Sequence, residues 1–129
     1  MNNELAHRGP DAEGSWVGEG IALGHRRLAI IDLSESGGQP MQDPAGRFTL
    51  VYNGEIYNYK ALREELRAEV SAAGWSFRSQ CDTEVLLYGL ALHGIDFLQR
   101  CNGMFAFGFW DAVERRLLLA RDRMGIKPL

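Results

Sequence analysis

VYNGEIYN, residues 51–58, sets an apolar, strand-forming pair against a polar cluster of Asn53, Gly54, Glu55 and Asn58, framed by Tyr52, Tyr57 and Tyr59. The residues before it, RFTLVY, alternate and are rich in strand formers, which predicts a strand over 47–52 ending at Asn53. Asn-Gly is a common turn dipeptide, and Asn58 stands where a helix would be capped. One Asn-Gly suffices for a turn, however, and these four polar residues exceed that need. A turn with a cap and a small-molecule site at the end of a strand therefore both stand at this point.

Downstream, NYKALREELRAEVSAAG carries Leu62, Leu66, Val70 and Ala73 at a helical period, with Asn58 as N-cap and Gly74 as the stop. Trp75–Phe77 reads as a short strand. A second helix is predicted over Thr83–His93, with Asp82 as N-cap, Gly94 as its end and Val85, Leu86, Tyr88 and Leu90 on its buried stripe. Two apolar runs, 104–110 and 117–120, flank a polar turn at Asp111–Arg115, which is the pattern of a hairpin. Phe105, Phe107 and Phe109 alternate with Ala106 and Gly108, so one face is bulky and the other small. Upstream, Trp16–Ile31 reads as short strands broken by Gly18, Gly20 and Gly24, and residues 34–46 as a loop long enough to cover something. Strands, then helices, then a hairpin predict an α+β fold whose antiparallel sheet buries an apolar face against helices.

A chain of 129 residues with 46% hydrophobic content has the material for one globular core. Its 24% charged residues and net charge of -3 leave no basic excess to hold a phosphate backbone, so no nucleic-acid partner is expected. The N-terminus has no secretory pattern, and no apolar run approaches the roughly 20 residues of a membrane span, so a cytoplasmic protein without membrane contact is expected. Both ends read as those of a fragment.

His7, His25 and His93 are too dispersed for a metal motif, and no phosphate loop or dinucleotide fingerprint is present, so no metal and no cofactor are expected in this chain. Arg26 and Arg27 begin a strand-like run and should face opposite ways, so at most one reaches a site on one face. Either is an ordinary surface or ion-pairing residue, or a fork that holds a carboxylate. Asp82 is a helix cap, a ligand for an amine, or both. Cys81 and Cys101, the chain's two cysteines, have no histidine beside them and read as structural.

Seven segments in one order carry a resemblance: HRGPD at 7–11, GHRRLAIIDLS at 24–34, QPM at 39–41, VYNGEIYNY at 51–59, CDTEVLL at 81–87, NGMFAFGFWD at 102–111 and ARDRMGIKPL at 120–129. Distributed from residue 7 to residue 129, they give a resemblance that runs over essentially the whole chain, to the class II glutamine amidotransferase domain of glutamine-hydrolysing asparagine synthetases. The resemblance implies an αββα sandwich of the N-terminal nucleophile hydrolase type. It implies that Arg27 grips the α-carboxylate of glutamine, Asp82 pairs with its α-ammonium and Glu55 helps hold the amino-acid end. Asn53, through its side-chain amide, and Gly54, through its backbone N–H, match an oxyanion hole. In that family an N-terminal cysteine attacks the glutamine side-chain amide, using its own α-amine as base, and releases ammonia. A synthetase domain then uses the ammonia with ATP and magnesium, typically on aspartate.

The chain departs from the family at its start. Met1 and Asn2 lead almost directly to His7, so residues 1–129 read as a partial amidotransferase domain lacking the first strand, the nucleophile segment and the synthetase domain. Two hypotheses follow. One is a truncated piece of an asparagine synthetase, inactive by itself for want of the cysteine. The other is a catalytically dead glutamine-binding or partner-interaction module. The partners implied are glutamine, the synthetase domain or a complementing chain, and a second copy in a homodimer.

Overall fold

Leu62, Leu66 and Val70 share one helix face, and the computed structural model, which describes residues 12–27 and 37–127, buries all three on α1 (Tyr59–Ala72). Each such burial contributes roughly 1.5–3 kcal/mol. The helix ends as its glycine suggests. Gly74 has φ of 80°, and bonds from Gly74 N–H to Ser71 O and from Trp75 N–H to Val70 O close the last turn in a Schellman arrangement. Its start differs from the expectation. Asn58 occupies the cap position but makes no side-chain bond to the helix; its amide donates to Arg100 O at 2.8 Å and accepts from Asn102 N–H at 2.9 Å. The side chain ties two distant segments together instead of capping its own.

The predicted strand at Trp75–Phe77 is not formed. Trp75 N–H closes α1, and the rings of Trp75 and Phe77 pack on Tyr88 at centroid distances of 5.2 and 5.3 Å. Aromatic packing on a helix takes the place of strand pairing.

The second helix, α2 (Asp82–His93), has every residue from Asp82 to Leu90 buried, so the expected stripe of Val85, Leu86, Tyr88 and Leu90 is part of a helix covered on all sides. It packs against α1 and the sheet, and continues through Gly94 into a 3-10 segment, Gly94–Arg100.

The larger sheet has the antiparallel order β3 (Met41–Gln42), β4 (Phe48–Ile56), β5 (Gly103–Asp111) and β6 (Arg116–Arg121). The hairpin read from residues 104–120 is β5–β6. Phe48, Leu50, Tyr52 and Ile56 of β4 join Phe105, Phe107 and Phe109 of β5 and both helices in one buried cluster. This is an α+β architecture with helices on one face of an antiparallel sheet.

The opening stretch is where expectation and structure part. β4 does not end at Asn53; it continues to Ile56, with Asn53, Gly54 and Glu55 opposite Ala106, Phe105 and Met104. The turn reading is therefore excluded. A glycine inside a strand reads as a break, but here it serves a close approach of two backbones. Gly54 has φ of 156°, and a β-carbon there would lie 2.1 Å from the Met104 carbonyl oxygen.

A second sheet pairs β1 (Ala12–Gly18) with β2 (Ile21–Arg27). Contacts between the two include His25 Nε2, 2.9 Å from Tyr52 O, and Arg115 Nη1, 3.6 Å from Glu19 Oε1.

Candidate ligand site around strand β4

Alternation along β4 sends the side chains of Tyr52 and Ile56 to the helix face and those of Asn53 and Glu55 to the opposite one. Asn53 is exposed and Glu55 half-buried, and neither side chain has a hydrogen-bond partner or ion pair among the described residues. Among the described residues the side chains of Asn53 and Glu55 are thus unengaged, unlike that of Asn58. They point away from the core, as donors and acceptors for a ligand must.

Asp82 sits on the other side of the same strand. It is the first residue of α2, with Cys81 in the cap position, so its expected role as N-cap is not what the structure shows. Its carboxylate turns back to β4, where Oδ2 accepts from Tyr52 Oη–H at 2.7 Å and from Ile56 N–H at 2.9 Å. Asp82 is 4% exposed, and no cation pairs with it among the described residues. Burial pushes its carboxyl above the usual aspartate range, and the bonds from Tyr52, Ile56 and the start of the helix offset only part of that push. Burial and the Asp82 charge raise the Tyr52 phenol in turn, so Tyr52 is the protonated donor of the pair.

Gln39 and His25 were not among the residues singled out as ligands, yet both reach β4 at Tyr52. The Gln39 amide donates from Nε2 to Tyr52 O at 3.0 Å and accepts from Tyr52 N–H at Oε1, 2.6 Å. Nε2 also lies 3.5 Å from Thr83 Oγ1, beside Asp82. These contacts span 13, 27 and 44 positions, so no local pattern could reveal them. The signals for the two residues are the QPM stretch at 39–41, which holds Gln39, and the GHRRLAIIDLS stretch at 24–34, which holds His25.

Arg27 ends β2 opposite Ala12, and its side chain, like that of Arg26, lies outside the described residues. The HRGPD stretch at 7–11 lies outside them as well. The structure therefore places Asn53, Gly54 and Glu55 on the last residues of β4 and Asp82 against the opposite face of the same strand.

Neither cysteine is built as a nucleophile. Cys81 is buried with Sγ 2.9 Å from Ser79 Oγ, and burial raises its thiol above the ordinary value. Cys101 donates to Phe97 O at 3.5 Å, and burial raises its thiol to about 11. A reactive thiol needs the opposite shift. Among the described residues no cluster of three His, Cys, Asp or Glu could hold a metal ion, and no helix is long and apolar enough to cross a membrane.

A helix-backed antiparallel sheet, with the unengaged side chains of Asn53 and Glu55 on one face of an inner strand and the buried Asp82 carboxylate on the other, defines an α+β domain with a candidate polar site. The chain belongs to the glutamine amidotransferase domain family, whose model matches residues 1–129. Asparagine synthetase (glutamine-hydrolyzing) 1 of Bacillus subtilis is 44% identical over 100% of this chain and 20% of its own length. Asparagine synthetase (glutamine-hydrolyzing) 3 of Arabidopsis thaliana is 40% identical over 100% of the chain and 21% of its own length. An amidase of Gibberella zeae, chry2, is 43% identical over 97% of the chain and 18% of its own length. The chain thus spans about a fifth of the length of the curated relatives it matches.

Proposed function

We propose that these 129 residues form the glutamine-binding part of an amidotransferase, and that the whole protein is a glutamine-dependent asparagine synthetase using glutamine, ATP and aspartate. The observation that carries the reading is Asp82: a buried carboxylate with neutral donors and no cation among the described residues, beside a strand of unengaged polar groups. An α-ammonium is the ligand that would balance such a charge. Its arrival would offset the desolvation that holds the carboxyl pKa up.

In this reading Arg27 holds the α-carboxylate and Glu55 seats the amino-acid end. The Asn53 amide and the Gly54 N–H receive the side-chain carbonyl oxygen as it becomes an oxyanion, a role worth about 3–4 kcal/mol per donor. Gly54 fits because the backbone there must come close to its neighbour, and a bare N–H is what such a hole uses. The thiolate attack that opens the amide comes from an N-terminal cysteine outside these residues, since Cys81 is buried, Cys101 is half-buried and both thiols are raised in pKa. The two sheets correspond to the two β layers of an αββα sandwich of the N-terminal nucleophile hydrolase type, with residues 1–129 one part of that domain. ATP and magnesium belong to the synthetase region that receives the ammonia. The same two cysteines favour a second reading for the isolated chain, glutamine binding without hydrolysis.

Calorimetry of the chain with glutamine tests the site. Binding that disappears in Arg27→Ala supports the assignment, and unchanged affinity in that variant removes Arg27 from the site. Ammonia release from the isolated chain should stay at background; turnover lost on Cys81→Ala would overturn the assignment of the nucleophile.

A further inference from the structure

Strands β3 and β4 pair Met41 with Leu50 and Gln42 with Thr49. Continuing that register two residues back brings residue 39 opposite Tyr52. The main chain is no longer in the ladder at that point. Its carbonyl turns toward β1, so close to Gly14 that a β-carbon there would lie 1.7 Å from Gln39 O. The Gln39 side chain fills the vacant rung, with one end of its amide on Tyr52 N–H and the other on Tyr52 O. Only one orientation of the amide satisfies both contacts, since the N–H needs an acceptor and the carbonyl a donor.

We propose that Gln39 is a positioning residue for the substrate end of the site: by completing the rung at Tyr52 it sets the Tyr52–Asn53 peptide plane, and with it the aim of the Asn53 amide and the Gly54 N–H. The proposal rests on the glutamine-binding reading given above. Three observations carry it. The amide bonds both backbone groups of the residue before Asn53. His25 Nε2 shares the same carbonyl at 2.9 Å, so the peptide is held from two elements. The second Nε2 proton reaches Thr83 Oγ1 at 3.5 Å, so one side chain links the strand that carries Asn53 to the helix start that carries Asp82. Oxyanion donors act through preorganisation, and a misaimed donor loses much of its effect.

The test separates aiming from general stability. In Gln39→Ala of the intact chain, amide hydrogen exchange should accelerate at Tyr52, whose N–H loses its acceptor, by about tenfold or more, and not at Leu50, whose rung is formed by Met41. Affinity for glutamine should fall while affinity for norvaline, which lacks the side-chain amide, stays the same. Gln39→Glu keeps the acceptor for Tyr52 N–H and most of the packing, but sets a second oxygen against Tyr52 O. It should show the same selective loss of glutamine over norvaline, and it serves if the alanine variant does not fold. Uniform acceleration at every β4 amide, or equal losses for both ligands, would overturn the proposal and leave Gln39 a structural residue. Glutamine binding with unchanged discrimination overturns the proposal alone, whereas no glutamine binding by the unsubstituted chain overturns the function reading and this proposal with it.

Discussion

Three aspartates packed against the larger sheet are handled in two opposite ways. Asp111, at the end of β5, takes a bidentate bond from Arg47 at 2.9 and 2.9 Å and further bonds from the N–H groups of Val113 and Glu114. The Arg47 bond, helped by those N–H groups, outweighs burial and holds the carboxyl below the ordinary range. Asp122, just past β6, follows the same plan with N–H donors from Ile126, Lys127, Phe105 and Met124; burial pushes it up, but their sum brings it below the ordinary value. Asp82 is under-supplied: it is buried, has two principal neutral donors, and is shifted upward. The first two carboxylates fasten loops and are fully matched by the protein. The third has no cation among the described residues, and in the proposed function the α-ammonium of glutamine supplies it.

The comparison can be broken most severely at the strand that carries the site. Gly54→Ala would drive a methyl group into the Met104 carbonyl, 2.1 Å from the new carbon, and should cost about 3 kcal/mol or more or prevent folding. Chemical denaturation checks it, and a loss under about 1 kcal/mol would mean that β4 and β5 part easily there.

Asp111→Ala comes next. It leaves the Val113 and Glu114 N–H groups and Arg47 without their acceptor, and should cost about 2 kcal/mol of stability while leaving glutamine binding intact. Asp82→Asn should do the reverse. Its oxygen can still accept from Tyr52 and Ile56, so the melting temperature should hold or rise, by less than about 1 kcal/mol in equivalent stability, while glutamine binding is lost. If both aspartates behave alike in melting and in binding, the contrast between fastener and site is wrong.

The smallest effect is in pH. Asp111 and Asp122 have folded values below the unfolded one, so their stabilisation is present above the ordinary value of 3.8 and is lost as pH falls through their folded values. Asp82 has a folded value above 3.8, so the folded state takes up its proton first, and stability rises as pH falls through that value. Acid titration of the melting temperature should show a shallow rise above pH 3.8 and a decline below it. Asp82→Asn should remove the rise and keep the decline.

Much of the frame was legible in the chain. Leu62, Leu66 and Val70 announce α1, Gly74 and Gly94 announce helix ends, and the alternation of Phe105, Phe107 and Phe109 announces β5, because each pattern is a local consequence of backbone geometry. The polar residues of the candidate site were named by resemblance. Their settings were not. Asn58 reads as a cap, yet its amide is drawn to residues 100 and 102 by a contact 44 positions away. Trp75–Phe77 has strand-like composition, but a ring on α2 claims it.

VYNGEIYN shows where the boundary falls. By itself the sequence determined that this stretch carries more hydrogen-bonding groups than a turn requires, and that helices flank an antiparallel sheet, since composition and period are properties of neighbouring residues. Tertiary structure alone decided that Asn53–Glu55 stay inside the strand, that Asp82 is buried against it without a cation among the described residues, and that Gln39 stands in for the missing rung. Those facts depend on which distant backbone comes within about 3 Å, and hydrogen bonds at that range are set by packing across the fold.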